Sequence, residues 1–266
     1  MPRVRLDQLL VERGMARSRA EAQSLLMAGA VVLPGSGTRG LKPGQLVAAD
    51  VELVSVPGPR WASRGGEKLA AALDAFAVDP RGLTCLDAGA STGGFTDVLL
   101  ERGARIVYAV DVGRGQLIER LRTDPRVVVM DRANLRTLER LPETVDLATL
   151  DLSFISLALV LPAVTGLLAP TGRVIALVKP QFEAGREAVP RGGVVRDPAV
   201  HRRVLLEFGD AARSAGFAPA RVMRSPISGS AGNTEFLTLL EHRLGVAVKA
   251  PSAWRTAVDA LFEPSV

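Results

Sequence analysis

The sequence predicts a doubly wound α/β domain on a mostly parallel seven-stranded sheet, preceded by a small α+β module. Three observations carry this expectation. From about Trp61 onward, seven short apolar runs alternate with stretches of helical periodicity, and a βαβα order of that kind folds as a parallel sheet. Before Trp61 the pattern differs, and Val56-Pro57-Gly58-Pro59-Arg60 reads as a boundary between the two. Hydrophobic residues make up 47% of the 266 positions and charged residues 23%, which suffices for a buried core and excludes a disordered chain.

In the first module, Leu6, Leu9 and Leu10 give one helical face that ends near Gly14. Ser18-Arg19-Ala20-Glu21 is a capping-box pattern, with Ala22, Leu25 and Leu26 behind it and Gly29 as a stop. Apolar runs at Val31–Leu33, Leu46–Ala48 and Val51–Val56, separated by turn residues, read as short strands. In the second part the expected strands are Leu83–Leu86, Ile106–Val110, Val127–Met130, Val145–Leu150, Arg173–Val178, Arg221–Arg224 and Glu235–Leu240. Helices are expected at Lys68–Phe76, Phe95–Glu101 and Pro198–Ala215, with a last amphipathic one around Trp254–Phe262. The resulting division is a module over 1–58, a linker over 59–65, the α/β domain over 66–244 and an extension over 245–266.

Composition excludes several classes. A single cysteine, Cys85, rules out a disulfide framework and a cysteine-rich metal site. His201 and His242 stand far apart with no partner at ligand spacing, so no metal is expected. The charged start Met1-Pro2-Arg3-Val4-Arg5-Leu6-Asp7 lacks the apolar run of a signal peptide, which predicts a cytoplasmic protein. Leu152 to Gly172 carries no charge and approaches membrane-spanning length. Its breakers Pro162, Gly166 and Pro170 make it a buried core segment instead, and no membrane association is expected. A net charge of +5 with a pI near 10.1 points to a polyanionic partner.

The chemistry concentrates at predicted strand ends. Asp87-Ala88-Gly89-Ala90-Ser91-Thr92-Gly93-Gly94-Phe95 is a glycine-rich turn between strand and helix, where a ligand can approach the backbone. It fails the G-x-G-x-x-G pattern, and Asp87 sets a carboxylate where a pyrophosphate would lie. A positively charged ligand without phosphate fits better, and S-adenosylmethionine is one. Asp87, Asp111, Asp131, Asp151 and Lys179 end five consecutive strands, on the side where open α/β sheets bind ligands. Asp111 suits ribose hydroxyls and Asp131 an adenine amino group; helix capping is the alternative for both. Lys179 closes an apolar strand, which should desolvate its ammonium, and Pro180 holds its backbone extended. Only four lysines occur among 33 basic residues, so Lys68 and Lys179 are informative choices: lysine can take a proton from a hydroxyl, and arginine cannot. Two salt-bridging lysines are the plainer alternative.

These residues carry a resemblance. Ser63-Arg64-Gly65-Gly66-Glu67-Lys68-Leu69, the Asp87–Phe95 turn, Asp151-Leu152-Ser153-Phe154-Ile155-Ser156, Val178-Lys179-Pro180-Gln181-Phe182 and Gly232-Asn233-Thr234-Glu235-Phe236 resemble the TlyA family, over nearly the whole chain. The resemblance implies a Rossmann-like class I methyltransferase domain of the FtsJ type. It also implies S-adenosylmethionine-dependent 2′-O-methylation of cytidines in ribosomal RNA, 16S, 23S or both, within ribosomal subunits. The lysine–aspartate–lysine–glutamate tetrad of the FtsJ type falls on Lys68, Asp151, Lys179 and Glu235. On that basis Lys179 handles the 2′-hydroxyl proton, Asp151 and Lys68 form the network that orients it, and Glu235 steadies the network. The implied cofactor contacts are Asp87, Gly89, Ser91, Thr92, Gly93, Gly94, Phe95, Asp111 and Asp131. Arg60-Trp61-Ala62 departs from the Arg-x-Trp-Val linker of some members, so a linker role in cofactor binding is not implied.

The first module resembles the RNA-binding domain of the ribosomal-protein-S-four type through Arg5-Leu6-Asp7, Leu10, Gly14, Ser18-Arg19, Ala22, Leu26 and Gly29. Arg17 and Arg19 flank a helix start, where the dipole disfavours cations unless a phosphate binds. Arg3, Arg5, Arg17, Arg19 and Arg64, with Arg186, Arg191 and Arg196 of the Glu183–Arg196 loop, are the expected RNA contacts. Aromatic residues are only 4% of the chain, so Phe95, Phe154 or Phe182 can support at most one flipped nucleotide. Three rival readings are a membrane-damaging protein, as the haemolysin names of some relatives suggest, an RNA-binding assembly factor without turnover, and a pseudouridine synthase. The charged strand ends oppose the first, the intact tetrad the second and the Asp87–Phe95 turn the third.

Overall fold

A computed structural model describes residues 3–27, 30–34, 41–55, 60–229, 231–242 and 251–263. Gly29, the 56–59 stretch and parts of the 245–266 segment lie outside the described residues. The chain divides into two compact units, Met1–Ser63 and Arg64–Val266.

The first unit contains β1 (Arg3–Arg5), α1 (Leu6–Glu12), α2 (Arg19–Met27), β2 (Val31–Val32), β3 (Leu46–Ala48) and β4 (Val54–Ser55). β1 pairs antiparallel with β3, and β2 with β4. Strand β1 has a single apolar residue, Val4, too little for a sequence pattern to show; only its pairing with β3 defines it. Leu6, Leu9, Leu10, Ala22, Leu26, Val31 and Val47 form the core. The Ser18 hydroxyl accepts the Glu21 amide at 3.2 Å, and the Glu21 carboxylate accepts the Arg17 amide at 2.7 Å, so the capping exchange is displaced by one residue. Asp7 is buried beneath Arg5, Gln23 and Arg19. Hydrogen bonds from Arg5 at 3.0 and 2.9 Å hold its carboxyl well below the usual range against the cost of burial, with Gln23 and Arg19 assisting.

The second unit runs α3 (Gly65–Phe76), β5 (Thr84–Ala88), α4 (Gly94–Glu101), β6 (Ile106–Asp111), α5 (Glu119–Arg122), β7 (Val127–Asp131), β8 (Val145–Leu150), α6 (Leu161–Leu167), β9 (Leu168–Val178), α7 (Pro180–Glu183), α8 (Pro198–Ser214), β10 (Phe217–Arg224), β11 (Phe236–His242) and α9 (Pro251–Asp259). Its seven strands lie in the order β10-β11-β9-β8-β5-β6-β7. β5 to β9 are mutually parallel, and β11 runs antiparallel between β9 and β10. The mostly parallel seven-stranded sheet is thus present, and its strand order reverses between β5 and β8.

The uncharged stretch 152–172 is cut into a 3₁₀ turn, the seven-residue α6 and the start of β9, with Leu161, Val164 and Leu167 buried in the core. Among the described residues, no helix is long and apolar enough to cross a membrane. The last helix is less of an appendage than the sequence suggests. Trp254 and Val258 are buried in the same core, and the Trp254 indole donates to the Leu205 carbonyl at 3.0 Å. It fits over Gly209 of α8, where any Cβ would collide with the indole.

Candidate active site

Open α/β sheets bind ligands beyond the carboxyl ends of their strands, at the point where strand order reverses. Asp111 ends β6, Asp131 ends β7, and Asp151 and Lys179 directly follow β8 and β9. Asp87 departs from the sequence reading. It lies within β5 and is fully buried, with Oδ2 accepting the Thr96 amide at 2.8 Å and hydroxyl at 2.6 Å, and Oδ1 the Thr149 hydroxyl at 3.2 Å. Burial pushes its carboxyl up to about 7 against the pull of Thr96. Rather than presenting a charge to a ligand, Asp87 fastens the first turn of α4 to the sheet and supports the turn above it.

The glycines of that turn also serve the protein itself. A Cβ at Gly89 (φ +84) would stand 2.6 Å from the Asp151 carbonyl oxygen, and one at Gly93 (φ +101) would strike Leu117 and Leu121. They let the turn close on the end of β8 and on the α5 segment. Gly94 and Phe95 are buried at the start of α4, which removes Phe95 as a stacking surface. Ser91 and Thr92 are exposed, and the Ser91 amide donates to Asp111 Oδ2 at 2.9 Å. Asp111 Oδ1 accepts the Gly113 amide at 2.7 Å. Asp131 Oδ2 accepts the Gly115 amide at 3.1 Å and Arg122 at 3.2 Å, which hold its carboxyl below the usual range, the amide most. Both carboxylates brace the 112–116 loop, leaving Val112 73% exposed beside Asp111. Sequence reasoning missed Val112, which in the sequence is simply the next apolar residue of a strand.

The four tetrad positions form two ion pairs. Lys68 Nζ lies 2.5 Å from Glu235 Oε2, with side chains 10% and 4% exposed. Lys179 Nζ lies 2.6 Å from Asp151 Oδ1 and donates to Ser153 Oγ at 3.0 Å. Lys179 is buried, as a lysine ending an apolar strand should be, but it is not isolated. The pairing also differs from the expected one, because Lys68 joins Glu235 and not Asp151. Topology explains this: β11 pairs with β9 with Phe236 opposite Val178, so Glu235 and Lys179 leave the sheet at adjacent positions. Glu235 thus precedes β11 instead of lying on it. Gly229 makes room for its carboxylate, which any Cβ there would strike.

Along the carboxyl edge of the sheet the backbone is strained. Ser91 (φ 48), Arg132 (φ 57) and Phe154 (φ 64) adopt the left-handed region just beyond β5, β7 and β8. Each costs roughly 1–2 kcal/mol and persists only where neighbours over-determine it. Phe154 is 91% exposed, with its ring centroid 5.1 Å from that of Phe182. Arg64, Arg186, Arg191 and Arg196 are exposed in this unit, and Arg3, Arg5, Arg17 and Arg19 in the first. Arg64 donates to the Ser228 carbonyl at 3.2 Å. Arg5 and Arg19 share the Asp7 carboxylate, so part of their charge is spent within the protein. The loop bearing Arg186, Arg191 and Arg196 is fastened by Asn233, which donates to Gly193 O and accepts from the Val195 amide, both at 2.9 Å.

Residues 61–242 match the model of the FtsJ-like methyltransferases, and residues 4–33 that of the S4 domain. The chain belongs to the FtsJ-like methyltransferase family. Within it, the 16S/23S rRNA (cytidine-2′-O)-methyltransferase TlyA of Mycobacterium tuberculosis is 47% identical over 93% of both chains. Hemolysin A of Brachyspira hyodysenteriae is 35% identical over 88% of this chain and 98% of its own. A solved structure of a hemolysin-named protein from Streptococcus thermophilus superposes with a TM-score of 0.75 at 41% identity, covering 98% of this chain and 96% of that one. The fold and the two ion pairs at the carboxyl edge of the sheet thus belong to a chain of the FtsJ-like methyltransferase family.

Proposed function

We propose that this protein transfers a methyl group from S-adenosylmethionine to the ribose 2′-oxygen of a cytidine in ribosomal RNA of the small subunit, the large subunit or both. The observation that carries the reading is the pair of buried lysines, each held by a carboxylate, Lys179–Asp151 and Lys68–Glu235. The 47% identity to an enzyme named for this reaction supports the nucleotide class.

The residues at the strand ends fit S-adenosylmethionine. Asp111 and Asp131 offer carboxylate oxygens for hydroxyl or amino groups, Val112 an apolar face, and Ser91 and Thr92 exposed polar groups on the turn. A phosphate there would be repelled by the Asp111 and Asp131 carboxylates. When bound, S-adenosylmethionine supplies an electrophilic methyl group. After Lys179 Nζ has released one ammonium proton to solvent, its neutral amine receives the 2′-hydroxyl proton, while Asp151 Oδ1 compensates the ammonium so re-formed and Ser153 Oγ fixes its direction. Lys68 and Glu235 hold the start of α3 against the entry of β11 and so set the opposite wall of the site. Phe154, exposed beside Lys179, offers its face to the base of the reacting nucleotide.

The S4 domain, through Arg3, Arg5, Arg17 and Arg19, engages folded RNA by its phosphates, and Arg64, Arg186, Arg191 and Arg196 contact RNA near the site. The protein then works in the cytoplasm, where ribosomal subunits are modified. Radiolabelled methyl transfer to isolated small and large subunits, with Lys179→Ala as control, tests the reading. Label in an alkali-resistant dinucleotide that vanishes in the variant is expected. Absence of label in both subunits, from protein that binds S-adenosylmethionine, refutes the ribosomal assignment.

A further inference from the structure

We infer that Glu183 is a positioning residue for methyl transfer, acting by holding Phe154 out as a platform for the target base; this rests on the function proposed above. The loop 151–157 is fastened at both ends by one five-residue segment, 179–183. On one side, Lys179 pairs with Asp151 at 2.6 Å and donates to Ser153 Oγ at 3.0 Å. On the other, Glu183 Oε2 accepts the Ser156 hydroxyl at 2.6 Å and Oε1 accepts the Leu157 amide at 2.8 Å. Between the two fastenings, Leu152 and Ile155 pack toward the core, while Ser153 and Phe154 stand in solvent. Phe182, from the same segment, lies against the Phe154 ring, tilted, at 5.1 Å between centroids.

A phenylalanine that is both solvent-exposed and left-handed has no local reason to stay so. Its ring favours burial, and its backbone favours negative φ. The conformation must be imposed from outside, and Glu183 is the member of the fastening that the chemistry itself does not employ. A carboxylate accepting a backbone amide and a hydroxyl at once gives a directed, charge-assisted hold. Burial pushes the Glu183 carboxyl up, and the bonds from Leu157 and Ser156 oppose that rise. The group has thus been taken out of water to serve a loop. Without it, the Leu157 amide and Ser156 hydroxyl lose their acceptor, and the loop no longer holds Phe154 in its exposed, left-handed conformation.

The test is a double-mutant cycle on the full-length protein, measuring methyl transfer to isolated ribosomal subunits and S-adenosylmethionine affinity. Phe154→Ala and Glu183→Ala should each lower kcat/KM for RNA by about tenfold, the scale of one stacked base. The double variant should fall no further than Phe154→Ala alone. Glu183→Gln keeps an acceptor for Leu157 and gains a donor for Ser156 Oγ, so it should recover most of the loss. Additive losses, or a matching fall in S-adenosylmethionine affinity, would overturn the inference while leaving the platform in place. A silent Phe154→Ala removes the platform itself, and the inference with it. Should Glu183→Ala fail to fold, Ser156→Ala removes the same bond from the loop side and completes the same cycle with Phe154→Ala.

Discussion

Replacing Lys68 by methionine separates what the Lys68–Glu235 pair does for stability from what it does for the reaction. The pair joins the first turn of α3 to the residue before β11, 167 positions away in sequence, with both side chains nearly out of solvent. Lys68→Met leaves the Glu235 carboxylate buried without its partner, and stranding one member of a buried pair costs about 3–5 kcal/mol. In a unit of this size each kcal/mol lowers the melting temperature by about 2–4 °C, so a drop of about 6–20 °C is expected. Lys68→Met/Glu235→Leu removes both charges, and such replacements are often neutral, so most of the loss should return. Methyl transfer should not return, because the wall of the site is then apolar. Thermal melts by circular dichroism and radiolabel transfer on the same preparations decide it. A single variant melting within 1–2 °C of the parent would refute the account of a desolvated pair. A double variant that regains activity would show the pair to be scaffold only.

Three further outcomes are expected. Lys179→Arg keeps the charge but cannot accept a proton, so methyl transfer should fall by about 10²–10⁴-fold while S-adenosylmethionine binding by calorimetry persists. Asp87, raised to about 7 in the fold, retains its proton over the range in which the unfolded chain has lost it. Its contribution to stability is therefore greatest at low pH and declines from about pH 4 to 7, by a few kcal/mol at most. Asp87→Asn should flatten that decline in denaturant titrations across the range; an unchanged slope would remove the buried carboxyl from the account. Arg17→Ala, with the helix cap at Ser18 left intact, should weaken RNA binding and reduce the salt slope of log K by about 0.7–0.9; an unchanged slope would mean that Arg17 contacts no phosphate.

Much of the fold was legible because a parallel strand buried on both faces is a continuous apolar run, stopped where a charged residue meets solvent. The run Val174–Val178 followed by Lys179, and the mostly apolar Leu147–Leu150 followed by Asp151, placed two members of the candidate site by pattern. The scarcity of lysine marked Lys68 and Lys179, and the proposed reaction would use a lysine for the same chemical reason. What pattern could not supply was orientation within an element. Asp87 looked like its neighbours at other strand ends, yet one residue of additional strand, Ala88, lies beyond it, and the alternation of side chains turns it into the core.

The sequence by itself determined the class of fold, the family resemblance, and the kinds of residue at the site, since these follow from composition and local periodicity. Only the tertiary structure decided which lysine meets which carboxylate. That depends on β11 entering antiparallel between β9 and β10, which brings Glu235 beside Lys179 and within reach of Lys68. Only the tertiary structure, likewise, turned Phe154 outward and gave Glu183 its task. Both follow from contacts between segments 26 to 27 positions apart, and no local preference of either segment encodes them.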